Sequence, residues 1–220
     1  MHKMPVPCAA VAAAALLAAA PAPAAGAVPA DAPAGAVVAA EPLPAQLRIP
    51  GADGKAFKLT YVTTDGRGRR ALSTGQLLLP EGPAPAGGWP VLSWAHGTVG
   101  IGDACAPSVR GPALPERDLP YLRGWLERGY AIAASDYAGL GTEGVHAYLH
   151  GRSEAHNVVD AVKAARRYAR NHLRSDEQLS GKWVAVGQSQ GGGAAISTAR
   201  HATAFGGREL DYRGAVGTGV

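Results

Sequence analysis

Residues 182–193 read KWVAVGQSQGGG, and within them Gly187-Gln188-Ser189-Gln190-Gly191 matches the pattern G-x-S-x-G. A serine so placed could attack an acyl carbon. With 30 glycines in 220 residues, the five-residue pattern carries little by itself. Its context carries more. A short apolar run precedes it and a helix-compatible segment follows, which is the setting of a nucleophile on a strand-to-helix turn. Small flanking residues at 187 and 191 keep Cβ atoms out of a cramped bend. The helix that starts there aims free N–H groups and a positive dipole end at the site. The N–H of Gln190 can then stabilise an oxyanion. A glycine-rich phosphate loop would need G-x-G-x-x-G or a Lys-Ser/Thr pair, and neither is present.

A second oxyanion donor should come from the loop after an adjacent strand. SWAHGTVG (93–100) supplies His96-Gly97-Thr98 at the end of such a strand, so the N–H of Thr98 or Gly97 is the candidate. His96 itself reads as a structural hydrogen-bonder rather than a base, because a strand end leaves it little freedom.

These residues need a scaffold, and the pattern provides one. AFKLTYVTT, DGRGRR and ALSTGQLLLP read as strand, turn and strand, a β-hairpin. WPVLSWAHG (89–97), YAIAASD (130–136) and KWVAVG (182–187) are continuous apolar runs, as expected of buried parallel strands. Between them lie two helical segments. In the first, Asp118 is a candidate cap for LPYLRGWLER. In the second, Ser153 is a candidate cap for a helix to about His172, with Val158, Val162, Ala165 and Ala169 on one face. A third helix follows the elbow, and YRGAVGTGV begins a further strand. Strands alternating with helices predict an α/β fold, a mainly parallel sheet with helices on both faces.

Composition bounds the rest. The chain is 47% apolar and 17% charged, with a net charge of +4 and no basic run, which argues for a globular protein and against nucleic acid as a partner. Residues 1–27 read as a secretory signal peptide: a weakly positive start, the apolar core VAAAALLAAA, and small residues at Ala25-Gly26-Ala27. The core is too short for a membrane span, so no integral membrane segment is expected after cleavage. Residues 28–50 read as a Pro/Ala-rich N-terminal arm, and 51–220 as the domain. No metal is expected, since His146, His150, His156 and His172 lack suitable ligand spacing. No cofactor is implied.

Three separated stretches, SWAHGTVGIGDACAPS (93–108), YAIAASDYAGLGTEGVHAYLHGRSEAHNVVDAVKAAR (130–166) and VAVGQSQGGGAA (184–195), together resemble the secretory lipase family of the α/β-hydrolase superfamily. The resemblance implies an exported serine hydrolase whose substrate is a lipid or other carboxylic ester, with Ser189 as nucleophile. It implies an oxyanion hole from Gln190 and the His-Gly-Thr loop. It also suggests that Asp136, Tyr137 and the Gly139-Leu140-Gly141 loop line the site. A strand-end cap is an equal reading of Asp136.

One feature departs from that pattern. An α/β hydrolase runs Ser, then Asp or Glu, then His along the chain. After Ser189 the only carboxylates are Glu209 and Asp211, and the only histidine is His201, which precedes both. His201 lies twelve residues along the elbow helix, roughly 18 Å from Ser189 at about 1.5 Å per residue. The expectation is therefore a fragment, with C-terminal strands, acid and base missing, rather than a remnant without chemistry. Such a chain alone should show little esterase activity. Cys105, unpaired once Cys8 is cleaved away, is expected to form a disulfide with a cysteine in the missing part; the other reading is a buried free thiol.

Overall fold

The computed structural model describes residues 28–52 and 54–220; the expected leader over 1–27, with Cys8, lies outside them. Among the described residues seven strands form one sheet: β1 (Val37–Pro42), β2 (Ala56–Thr64), β3 (Arg70–Leu78), β4 (Trp89–Ala95), β5 (Ala131–Ser135), β6 (Leu179–Gln188) and β7 (Asp211–Thr218). Their order across the sheet is β1-β2-β3-β5-β4-β6-β7. β1, β2, β3 and β5 pair antiparallel in turn. β5, β4, β6 and β7 pair parallel. The sheet is thus mixed, with the hairpin at one side and the parallel strands at the other. Segment 28–50, read as an arm ahead of the domain, contributes β1. Its residues carry no alternating apolar pattern, because β1 is an edge strand held by backbone pairing to β2.

The helices are α1 (Pro107–Arg110), α2 (Pro115–Glu127), α3 (Gly151–His172) and α4 (Gln190–Gly206). The apolar strand runs are explained by burial on both faces. Val91, Ala95, Ala131, Ala133 and Ala185 point to a core shared with Val158, Val162, Ala165 and Ala169 of α3 and Ala194 and Ala195 of α4. Leu92, Trp94, Ile132, Ala134 and Val186 point the other way, against Leu122 and Leu126 of α2. Neighbouring residues on one strand therefore serve opposite layers.

Two helix starts differ from the sequence reading. Helix α2 begins at Pro115, with proline in the first turn, and Asp118 is buried within that turn beside Arg117 rather than capping it. A proline lacks the N–H that a first turn leaves unpaired anyway, so it starts the helix at no cost. Helix α3 begins at Gly151, and His150 caps it by accepting the Ser153 N–H on Nδ1 (3.3 Å). The Ser153 hydroxyl instead donates to the Thr64 carbonyl.

A buried polar seam ties α3 to the hairpin. Asn157 donates to Thr63 and to the Thr64 carbonyl, and accepts the Ala138 N–H. Thr63 donates to the Asp160 carboxylate (2.9 Å), which also meets Lys163 (3.4 Å). Burial pushes the Asp160 carboxyl up to about 6, against the opposing pull of Lys163 and the Thr63 hydrogen bond. Because its affinity for a proton is higher folded than unfolded, this group's contribution is fully present below about pH 4 and is lost as pH rises through 6. The loss is worth about 2–3 kcal/mol. Asp160→Asn does not titrate, so its urea stability relative to the parent should improve by about that amount between pH 4 and pH 7.5. Parallel curves for the two proteins across that range would refute the assignment.

Candidate active site

The parallel strands β5, β4 and β6 end along one edge, and the candidate residues sit there. β6 leaves the sheet at Gln188 and α4 begins at Gln190, so Ser189 alone makes the turn. Its backbone is at φ 56° and ψ −122°, a conformation that residues with a side chain rarely hold. Such a residue costs on the order of 1–3 kcal/mol and persists only where its surroundings impose it. Here they do. The Ser189 N–H donates to the Thr218 carbonyl on β7 (2.9 Å), and the Ser189 carbonyl accepts the Gly193 N–H (3.1 Å).

The flanking glycines are required by contact rather than by dihedral angle. A Cβ at Gly187 would lie 2.0 Å from the Gly191 carbonyl oxygen, and one at Gly191 would lie 1.8 Å from that of Ala95. Helix α4 is thereby pressed against the end of β4. Ser189 is half-buried, and among the described residues its hydroxyl has no hydrogen-bond partner.

The strand exit after β4 meets this turn. A Cβ at Gly97 would lie 3.1 Å from the Gln188 carbonyl and 3.7 Å from the Ser189 Cβ, so the backbone at Gly97 runs close against the elbow. Among the described residues the N–H groups of Gln190 and Thr98 have no acceptor. Gln188, before Ser189, accepts from Arg117 of α2 (2.8 Å). His96 is buried, with Nδ1 2.7 Å from the Gly97 carbonyl and Nε2 3.3 Å from the Asp136 carbonyl. Both ring nitrogens thus face the backbone.

Asp136 is buried. Its carboxylate accepts the Ser108 N–H (3.0 Å), the Ser108 hydroxyl and the Thr74 hydroxyl (2.7 Å). It fastens the loop after β4 to the middle of β3 and the end of β5. Burial raises its proton affinity, and the hydrogen bonds from Ser108 and Thr74 oppose that. Tyr137, at φ 67°, packs its ring on His96 and donates its hydroxyl to the His96 carbonyl (3.1 Å). Cys105 is a half-buried free thiol. His201 lies far along the unbroken α4, stacked on Phe205. Among the described residues no cluster of three His, Cys, Asp or Glu side chains is placed to hold a metal ion, and no helix is long and apolar enough to cross a membrane.

One group of residues went unnoticed in the sequence. The Gln190 side chain is buried, and its Nε2 lies 2.8 Å from Glu154 Oε1 and 2.9 Å from His146 Nε2. Burial raises the proton affinity of Glu154 and lowers that of His146. A signal for Glu154 did exist. It stands four residues before Val158, on the same apolar stripe of α3, and a carboxylate there must find a partner.

A mixed sheet with helices on both faces and a serine turn between strand and helix is the α/β-hydrolase fold. The solved structures that this chain resembles agree. Lipase A of Candida antarctica in its closed state superposes with a TM-score of 0.68 at 23% identity, covering 83% of this chain and 41% of that one. The rice cell wall degrading esterase LipA of Xanthomonas oryzae superposes at 0.66 with 31% identity, covering 84% of this chain and 50% of that one. A putative hydrolase of Legionella pneumophila superposes at 0.62 with 23% identity, covering 81% and 50%. The chain thus spans half or less of the length of each. Residues 114–219 match the model of the secretory lipase family, which bears out the resemblance read from the sequence. No curated protein matches the chain.

Proposed function

We propose that the protein is an exported serine hydrolase that cleaves carboxylic esters of lipids through an acyl-enzyme on Ser189. The observation that carries this reading is the backbone of Ser189, held at φ 56° between β6 and α4 with its hydroxyl unpartnered. Strain of that kind is maintained where function needs it. The match of residues 114–219 to secretory lipases supports ester chemistry and an extracellular setting.

The steps follow from the geometry. The Ser189 oxygen attacks the ester carbonyl, its proton passing to a general base, and the carbonyl oxygen becomes an oxyanion. The N–H groups of Gln190 and of Thr98 or Gly97 receive that charge, reinforced by the start of α4. The alcohol leaves with a proton, and water then cleaves the acyl-enzyme. Among the described residues no imidazole reaches the Ser189 hydroxyl: His146 has its Nε2 engaged by Gln190, and His96 faces two carbonyls. Hydrolysis is accordingly proposed of the whole protein, of which this chain supplies the nucleophile and the oxyanion hole.

A second reading is an esterase acting on other acyl groups, favoured by the 31% identity to an esterase described as degrading rice cell wall. A p-nitrophenyl ester series separates the two. Preference for acyl chains of about eight carbons or more supports the lipase, and a sharp fall beyond about four supports the alternative. A fluorophosphonate probe should label the protein at Ser189 in either case. Labelling elsewhere, or none, would sink both.

A further inference from the structure

We propose that Glu154 and His146 are positioning residues for the oxyanion hole, clamping the Gln190 side chain so that its backbone N–H is aimed before substrate arrives. This rests on the function proposed above. Gln190 is the first residue of α4 and directly follows the nucleophile position. Its backbone can swing only if its side chain can, and the side chain is locked. A primary amide has two N–H donors, and here there are two acceptors, Glu154 Oε1 at 2.8 Å and His146 Nε2 at 2.9 Å. The contact to His146 requires a lone pair on Nε2, which puts the ring proton on Nδ1. That nitrogen makes no hydrogen bond of sound geometry, although the Ala138 backbone lies near enough to favour a proton on the ring.

The same cluster reaches the other half of the hole. The His146 ring stacks on Tyr137 with centroids 5.8 Å apart, and Tyr137 donates to the carbonyl of His96, the residue before Gly97-Thr98. Tyr148, beside His146, has its hydroxyl 3.2 Å from the Thr98 hydroxyl. Glu154 also accepts the N–H of Leu149, which sits at φ 58°. Both donor-bearing segments are thus braced from one buried cluster. A carboxylate buried on the apolar stripe of a helix, with no Lys or Arg among the described residues paired to it, is a poor choice for stability alone. It is intelligible where a hydrogen-bond donor next door must not move.

The test, made in the whole protein, compares the parent with Gln190→Met and Glu154→Leu, which remove the contact at nearly constant shape, and with Glu154→Gln, which keeps an acceptor. The first two should lower kcat on p-nitrophenyl butyrate by about 10- to 100-fold with KM within about twofold, since a misplacement of ~1 Å is that costly. The double variant should be no worse than either single one, and Glu154→Gln should recover most of the rate. A folded Glu154→Leu with unchanged kcat, or a loss in KM alone, would overturn the proposal. A nuclear magnetic resonance reading separates this from the activity itself. The Gln190 Nε2 protons should be shifted away from free-amide positions and exchange slowly with solvent in the parent and in Glu154→Gln, and return to free-amide shifts and exchange in Glu154→Leu. A parent that neither labels nor hydrolyses esters, yet shows that pattern, refutes the hydrolase and leaves the clamp standing; free-amide shifts and fast exchange in the parent refute the clamp.

Discussion

In the whole protein, replacing Ser189 with Ala is expected to abolish fluorophosphonate labelling and to cut ester hydrolysis by about 10⁴-fold or more, while the protein stays folded. The hydroxyl makes no hydrogen bond among the described residues, so its removal orphans no partner. Alanine keeps the Cβ, and with it the penalty of φ 56°. Glycine at this position loses the penalty as well as the chemistry. Ser189→Gly should therefore be inactive yet more stable than Ser189→Ala, by about 1 kcal/mol in urea unfolding. The contrast between the two variants tests the strain separately from the nucleophile. Hydrolysis by Ser189→Ala within tenfold of the parent would remove the residue from the mechanism. Equal stability of the two variants would remove the strain from the account of the turn.

The second large effect is structural. Gly191, Gly192 and Gly193 follow one another in α4, and the fold treats them differently. A Cβ on Gly191 would lie 1.8 Å from the Ala95 carbonyl oxygen and 2.7 Å from that of His96, both main-chain atoms of the strand end that leads to the proposed second oxyanion donor. Neither element can yield without moving the other, so Gly191→Ala should cost more than about 4 kcal/mol or prevent soluble expression. A Cβ on Gly193 meets nothing within 4 Å. Gly193→Ala should be neutral or stabilising by up to about 1 kcal/mol, as expected when glycine leaves a helix interior. Thermal melts of both variants decide the matter, and a Gly191→Ala protein as stable as the parent would show that α4 does not press on β4 as described.

These three glycines mark the division between what is local and what is not. The sequence alone determined that this chain folds as strands alternating with helices, that β4, β5 and β6 are buried, and that Ser189 stands at a strand-to-helix turn. Each of those follows from neighbours along the chain. A strand covered on both faces must be apolar throughout, a helix covered on one face repeats every 3.6 residues, and a sharp turn needs small flanks. Only the tertiary structure decided that Gly191 meets main-chain atoms where Gly193 meets none, that 28–50 supplies an edge strand, and that α3 is capped by His150 rather than Ser153. It alone brought Glu154, His146 and Gln190 together across 36 and 44 positions of sequence. Pairing between distant segments leaves no periodic trace, because a buried polar side chain is stabilised by whatever partner the fold delivers, and nothing beside it in the chain records which one.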